Sequence, residues 1–298
     1  MNGGIDLQIN GWMGISFSAP GLTEVSGRQA CAAIRASGTA GFLATIVTNP
    51  PEIIQRNVAL LAALDEPGLL GLHLEGPFFL PTYGAIGVHP PQCCLAANVD
   101  LLKRWQDAAR GRIRLITIGA DVPGAAELTA AACRLGIAVS LGHHMATSAQ
   151  ITACADAGAT ALTHLGNGLP MQIHRHENPI WSGLAEERLA VMVILDGHHI
   201  PLTMARIMAR VAGERLILVS DAASIGGMPP GRYPWMNKEL IIEPSGRLSD
   251  SDTGFFAGSS SSMGQCMDVA QKWGIPDVQS ASVARPLALL EKAARLRA

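Results

Sequence analysis

The sequence has no block of like charge, no apolar run approaching the ~18 residues of a membrane span, and no CxxC pair among its six cysteines. Each absence closes off a class of function. Charged residues make up only 15% and the formal net charge is −2, so a nucleic-acid or anionic-membrane surface is not expected, although one local anion pocket is compatible with this balance. Met1-Asn2-Gly3-Gly4 lacks the basic segment and apolar stretch of a secretory leader. Cys31, Cys93, Cys94, Cys133, Cys154 and Cys266 read as reduced thiols, which together with that start points to the cytoplasm. What the chain has in quantity is apolar. Hydrophobic residues are 48% of 298, enough for a large buried core and incompatible with a disordered chain.

Short β-rich runs alternate with Ala-rich helical stretches. The runs at residues 5–10, 42–48, 69–74, 114–118, 138–141, 161–165, 190–195 and 216–220 are mostly continuous rather than alternating, as parallel strands buried on both faces require. Helical patterns at 24–36, 52–64, 99–109, 125–135, 148–157 and 201–211 lie between most of them. Thr147 with Gln150 suits a capping box, and Gly136 and Gly158 sit where helix-terminating glycines belong. Eight strands with intervening helices predict an α/β fold of the (β/α)8 barrel type. A doubly wound open sheet is the alternative. It usually has fewer strands and often a Gly-rich phosphate loop after the first, whereas here Gly11-Trp12-Met13-Gly14 follows. Further on, 240–242 and 247–248 flank Pro244-Ser245-Gly246 as a β-hairpin, 259–262 forms a tight polar loop, and 277–297 supplies one or two closing helices.

In such a barrel, functional groups gather at the C-terminal strand ends. Five of the expected strands end in His, Glu or Asp: His73-Leu74-Glu75, Gly142-His143-His144, Thr163-His164, Asp196-Gly197-His198-His199, and Ser220-Asp221. Two histidines and a carboxylate with open positions make a catalytic metal geometry, and Glu75, His143 and His164 fit it. Singly, each is more often structural; their convergence at one mouth is what points to a site. His73 and His144 read as structural, directed to the opposite face of their strands. Asp221 follows the apolar run Leu216-Ile217-Leu218-Val219, where a carboxylate is costly unless paired, exposed or bound to a cation. It is either a helix N-cap or the general base, then acid, of metal-assisted hydrolysis. Arg175, within His174-Arg175-His176-Glu177, is either a solvated loop residue or a contact to phosphate or carboxylate; His199 is open in the same way.

These residues together resemble a family. GGIDLQING at 3–11, LHLEGPF at 72–78, GHH at 142–144, THLGNGLP at 163–170, DGHH at 196–199, LVSDA at 218–222 and FAGSSSSM at 256–263 follow the order of the N-acetylglucosamine-6-phosphate deacetylases of the amidohydrolase superfamily. The resemblance implies a TIM-like barrel of the metal-dependent hydrolase type. In it Glu75, His143 and His164 bind one divalent ion, zinc first, with Fe²⁺, Mn²⁺ or Co²⁺ also acceptable to this donor set. Asp221 activates water, and His89 polarises the amide carbonyl. Asn167 and the Gly168 backbone hold the sugar phosphate, Arg175 binds phosphate, in one variant of the scheme in a neighbouring subunit's site, and His199 contacts substrate. The partners implied are a small sugar phosphate and further copies of the chain, in a homodimer or other homo-oligomer.

The chain also departs from the family. Gln8 and Asn10 stand where many amidohydrolases carry HxH, so one metal is expected rather than two. Gly166, Gly168 and Leu169 replace bulkier or different neighbours of Asn167 and loosen the sugar pocket, and Ala120-Asp121 replaces the frequent Pro-Glu. The small β-sandwich usual in the family is expected to be missing or vestigial, leaving one catalytic barrel over 1–298. The expected reaction is release of acetate from N-acetylglucosamine 6-phosphate. The rivals are deacetylation of another N-acyl amino sugar, such as N-acetylgalactosamine 6-phosphate, and a barrel that binds a sugar phosphate without hydrolysing it.

Overall fold

The computed structural model describes residues 3–236 and 238–296. Eight parallel strands form its main sheet: β1 (Gly4–Ile9), β4 (Thr39–Val47), β5 (Leu69–Glu75), β6 (Ile113–Ile118), β7 (Ala138–Leu141), β8 (Ala161–Leu162), β9 (Ala190–Ile194) and β10 (Leu216–Val219). They are hydrogen-bonded in chain order, without the reversal of strand order that defines a doubly wound sheet. The ends meet: Asn10 N–H donates to the Ala222 carbonyl at 2.8 Å and Ile9 bridges Ala222 in parallel, so the sheet closes into a (β/α)8 barrel. A two-residue ribbon, β2 (Gly11–Trp12) with β3 (Ile15–Ser16), follows the first strand.

The barrel is wrapped by α1 (Glu24–Ala36), α2 (Pro51–Ala63), α3 (Val99–Ala108), α4 (Ala125–Arg134), α5 (Ser148–Asp156), α6 (Pro179–Ala185) and α7 (Leu202–Ala212). Their buried faces meet the outward residues of the strands, such as Phe42, Leu72, Ile116 and Val193, in one core. The capping box at Thr147 and Gln150 is present, and Gly136 and Gly158 take left-handed backbone just past α4 and α5. Two helices fall where no helix was expected: α6, and α8 (Met263–Lys272), which opens with its own capping box at Ser262 and Gln265. α6 is short and follows a long polar loop, so it has little helical period to detect; α8 is as long as α3 and α4, but its N-cap Ser262 belongs to the polar run at 259–262 that reads as a loop. The expected hairpin is a three-stranded antiparallel sheet, β11 (Gly231–Trp235), β12 (Lys238–Ile242) and β13 (Leu248–Asp250). It packs on the barrel through Ala223, Ile225, Leu240, Ile242, Leu248 and Ala257.

The closing segment is a π-helical turn (Ser280–Ala284) running into α9 (Arg285–Ala294); Arg297 lies outside the described residues. Leu289, Leu290 and Ala293 of α9 cluster with Ile5, Leu7, Leu43, Leu115, Met192 and Ile217, which plugs the N-terminal end of the barrel. Among the described residues, no helix is long and apolar enough to cross a membrane.

Candidate active site

Side chains alternate along a strand, so each barrel strand stacks its inward residues in layers toward the C-terminal mouth. Above the apolar floor lies a polar layer. His73 Nδ1 meets Thr45 Oγ1 at 3.2 Å and its Nε2 meets Thr117 Oγ1 at 2.8 Å; Thr117 Oγ1 meets Thr163 Oγ1 at 2.8 Å, and Thr163 donates to Ser140 Oγ at 2.6 Å. His73 is therefore structural, as expected, but it points the same way as Glu75 two residues later, not to the opposite face. Burial pushes its ring down to about 4, so it is a neutral hydrogen-bonding spacer. His144, beside His143, is buried too, and its Nδ1 accepts the Ala146 N–H at 3.1 Å.

The next layer up holds the three candidate ligands. Glu75 Oε1 lies 3.1 Å from His143 Nε2 and 3.0 Å from His164 Nε2, and the two Nε2 atoms are 3.1 Å apart. His143 Nδ1 faces the Ala85 carbonyl at 2.8 Å, and a carbonyl only accepts, so Nδ1 carries the ring hydrogen and Nε2 presents a lone pair. A carboxylate oxygen and two imidazole nitrogens at contact distance repel unless a proton or a cation lies among them. All three residues are buried, and the group fits a divalent ion, with the ring of His143 held by a carbonyl as metal-binding imidazoles usually are. His164 differs in that its Nδ1 has no partner among the described residues.

Asp221 stands beside this group, and no helix starts at it, which removes the N-cap alternative. Its Oδ1 accepts from Asn10 Nδ2 at 2.8 Å and from Gln8 Nε2 at 3.0 Å, and the same Gln8 nitrogen donates to Glu75 Oε1 at 2.7 Å. Pairing of β1 with β4 shifts register between Asp6 and Ile9, a bulge that brings Gln8 into the barrel directly after the inward Leu7. Two neutral amides thus occupy the side of the site where a second set of ligands would stand. Burial, with the charge of Glu75 next, pushes the Asp221 carboxyl up to about 8; a cation in the Glu75 group acts in the opposite sense.

Behind Asp221, Asp6 accepts from the hydroxyl and N–H of Ser220 and from Gln8 N–H. Burial pushes its carboxyl up to about 7 despite those bonds. Folding therefore binds a proton here, and stability present below about pH 4 is lost as pH rises to about 7. Asp6→Asn is expected to remove that slope, worth at most roughly 4 kcal/mol. Urea unfolding of both proteins at pH 4.5 and 8 tests this, and an equal difference at the two pH values would sink it.

The site opens into a cavity of ≈ 400 Å³ lined by Glu75, His143, His164, Asp221, His89, Asn167, Gly168 and His199, eight of the nine residues expected to serve it. His89 Nδ1 lies 2.9 Å from Thr48 Oγ1 and its Nε2 is 3.7 Å from Glu75 Oε2; burial pushes the ring down to about 3. His199 Nδ1 donates to Asp196 Oδ2 at 2.7 Å and the ring stacks on Phe256, centroids 4.3 Å apart. Gly168 has φ +62°, and a Cβ there would fall 2.8 Å from His143 Nδ1. Its lack of a side chain thus serves close approach of the loop to a ligand ring as much as room for a sugar. The ninth residue, Arg175, is exposed on the loop before α6 and does not line this cavity; its carbonyl accepts from Trp181 Nε1 at 3.0 Å. Sequence reasoning passed over Arg247 and Phe255, which line the cavity; Phe256 appeared only within a motif. The turn signal at Pro244-Ser245-Gly246 hid the first, because nothing local says that this hairpin folds over the barrel mouth.

No family profile matches the chain. N-acetylgalactosamine-6-phosphate deacetylase of Escherichia coli O157:H7 is 31% identical over 231 residues, covering 76% of this chain and 60% of that protein. N-acetylglucosamine-6-phosphate deacetylase of Bacillus subtilis (strain 168) is 31% identical over 271 residues, 86% of this chain and 66% of the relative. The chain thus spans roughly three fifths to two thirds of the length of these curated relatives. A variant of N-acetyl-D-glucosamine-6-phosphate deacetylase from Mycobacterium smegmatis, solved in complex with N-acetyl-D-glucosamine-6-phosphate, superposes with a TM-score of 0.89 at 31% identity, over 97% of this chain and 77% of that one. With the barrel and its strand-end residues, this places the chain in the N-acetylglucosamine-6-phosphate deacetylase family.

Proposed function

We propose that this protein removes the acetyl group of N-acetylglucosamine 6-phosphate, giving glucosamine 6-phosphate and acetate, and that residues 1–298 act as one catalytic barrel. The observation that carries the proposal is the adjacency of Asp221 to the Glu75, His143 and His164 group, joined through Gln8, at the floor of one cavity. A divalent ion held by Glu75, His143 and His164, zinc in the first instance, would supply Lewis acidity toward the acyl carbonyl and toward water.

The remaining work falls to side chains of this chain. Asp221, deprotonated, takes a proton from water as oxygen adds to the acyl carbon. The single hydroxyl hydrogen of Thr48 is within reach of both His89 Nδ1 at 2.9 Å and the Glu75 carbonyl at 3.3 Å; given to the nearer Nδ1, it leaves the ring hydrogen on Nε2, facing the cavity and able to donate to the developing oxyanion. Asp221 then returns its proton to the nitrogen as the C–N bond breaks, so that water's two hydrogens end on the amine and the acid. Asn167 and Gly168 position the sugar, and His199, oriented by Asp196, contacts its anionic end. Arg175 fits a role in a neighbouring subunit's site. Met171 and Trp181, both exposed on the stretch of chain that carries Arg175, are open to contact with a second copy, which is the support for a homo-oligomer. All six thiols are free, which supports a reducing compartment, the cytoplasm.

Acetate release by zinc-loaded protein is the test, with N-acetylglucosamine 6-phosphate, its unphosphorylated form and N-acetylgalactosamine 6-phosphate side by side. Fastest turnover is expected on the first. A preference for the galactosamine epimer would instead favour the second substrate, which the E. coli relative's name and the glycines flanking Asn167 keep in play. No release from any of the three would refute the assignment.

A further inference from the structure

Among the described residues lining the cavity, Arg247 is the one lysine or arginine. It comes from the turn between β12 and β13, the small sheet laid over the barrel mouth. Its guanidinium stands 4.9 Å from the Phe256 ring centroid, and the His199 ring stacks on the same phenylalanine at 4.3 Å. Phe256 therefore spaces a permanent cation from an imidazole whose Nδ1 is already committed to Asp196 and whose Nε2 has no partner among the described residues.

The guanidinium is anchored on one part of its donor set. Nη1 donates to Glu243 Oε1 at 2.9 Å and Ser249 Oγ at 3.2 Å, and Nη2 donates to the Gly254 carbonyl at 3.0 Å. Nε–H and the second hydrogen of Nη2 have no acceptor among the described residues. The Glu243 pair is partly exposed at both ends, so solvent screens it and an incoming dianion competes with it on good terms. A fork with two donors free, anchored by neighbours on a residue that lines the cavity, suits binding of a phosphate monoester.

We propose that Arg247, with His199, forms the phosphate-binding end of this chain's own cavity, so that anion recognition does not depend on Arg175 alone. That the anion is a sugar phosphate rests on the deacetylase function proposed above; that Arg247 binds phosphate does not. The test compares wild type with Arg247→Met, which keeps the stem and removes the donors, Arg247→Lys and Arg175→Met. The ratio of kcat/KM for phosphorylated to unphosphorylated N-acetylglucosamine is expected to fall at least about tenfold in Arg247→Met and by less in Arg247→Lys. Calorimetric titration with inorganic phosphate is expected to show the same weakening. An unchanged ratio in Arg247→Met, with the whole effect appearing in Arg175→Met, would overturn the proposal. If wild type releases no acetate, the deacetylase function falls, and the phosphate titration still decides Arg247: affinity unchanged in Arg247→Met, or no binding by wild type, overturns it.

Discussion

Asp221→Asn is expected to lower turnover by about 10²–10⁴-fold while leaving bound metal and KM for the substrate near wild type. The metal should stay because Glu75, His143 and His164 make the converging group without Asp221. Geometry should stay because asparagine retains the oxygen that accepts from Gln8 and Asn10. What is lost is a group that can both take and return a proton. Rates of acetate release, read beside metal content of the same preparation, separate these effects. Near-normal turnover with full metal would remove Asp221 from the chemistry, and loss of metal together with activity would make it a ligand instead.

The second large effect is expected at Glu75, which contributes the one negative charge of the ligand group. Glu75→Gln should abolish activity and uncouple stability from metal. For wild type, zinc at 100 times its dissociation constant should add about 2.7 kcal/mol to the free energy of unfolding. The variant should gain little, because a neutral amide is a weaker donor and no longer offsets the ion's charge. Thermal melts of both proteins with and without zinc would show it. A variant that melts higher with zinc by as much as wild type does would place the ion elsewhere.

The barrel was legible because buried parallel strands write themselves as unbroken apolar runs, and Leu216–Val219 and Ala190–Ile194 stand out between polar loops. Glu75, His143, His164 and Asp221 stood out for the complementary reason: each closes or follows such a run, and their convergence at one mouth, rather than any one of them, marks the candidate site. The misdirected His73 shows the limit of that rule, since two residues along a strand return to the same face and only contacts with Thr45 and Thr117 distinguish a spacer from a ligand. Gln8 was recognised as a replacement, but the bulge that lets one amide touch both Glu75 and Asp221 is a matter of register, which no single strand encodes. Arg247 and Phe255 were out of reach altogether. Their place at the mouth depends on how the β11–β13 sheet packs over the barrel, and a basic residue beside a turn looks the same wherever the turn ends up.

His143, His164 and Asp221 share a backbone habit: φ values of +55°, +30° and +47°, in a region that residues with a Cβ avoid. Conformations of this kind are typically unfavourable by about 1–3 kcal/mol each. Glycine at any of the three would relax the chain locally, at the cost of a buried side chain and the contacts it makes. Met13, Arg110, Met236 and Asp277 share the habit without lining the site, so it is the clustering of three such residues around one buried carboxylate, rather than the strain itself, that distinguishes the candidate site.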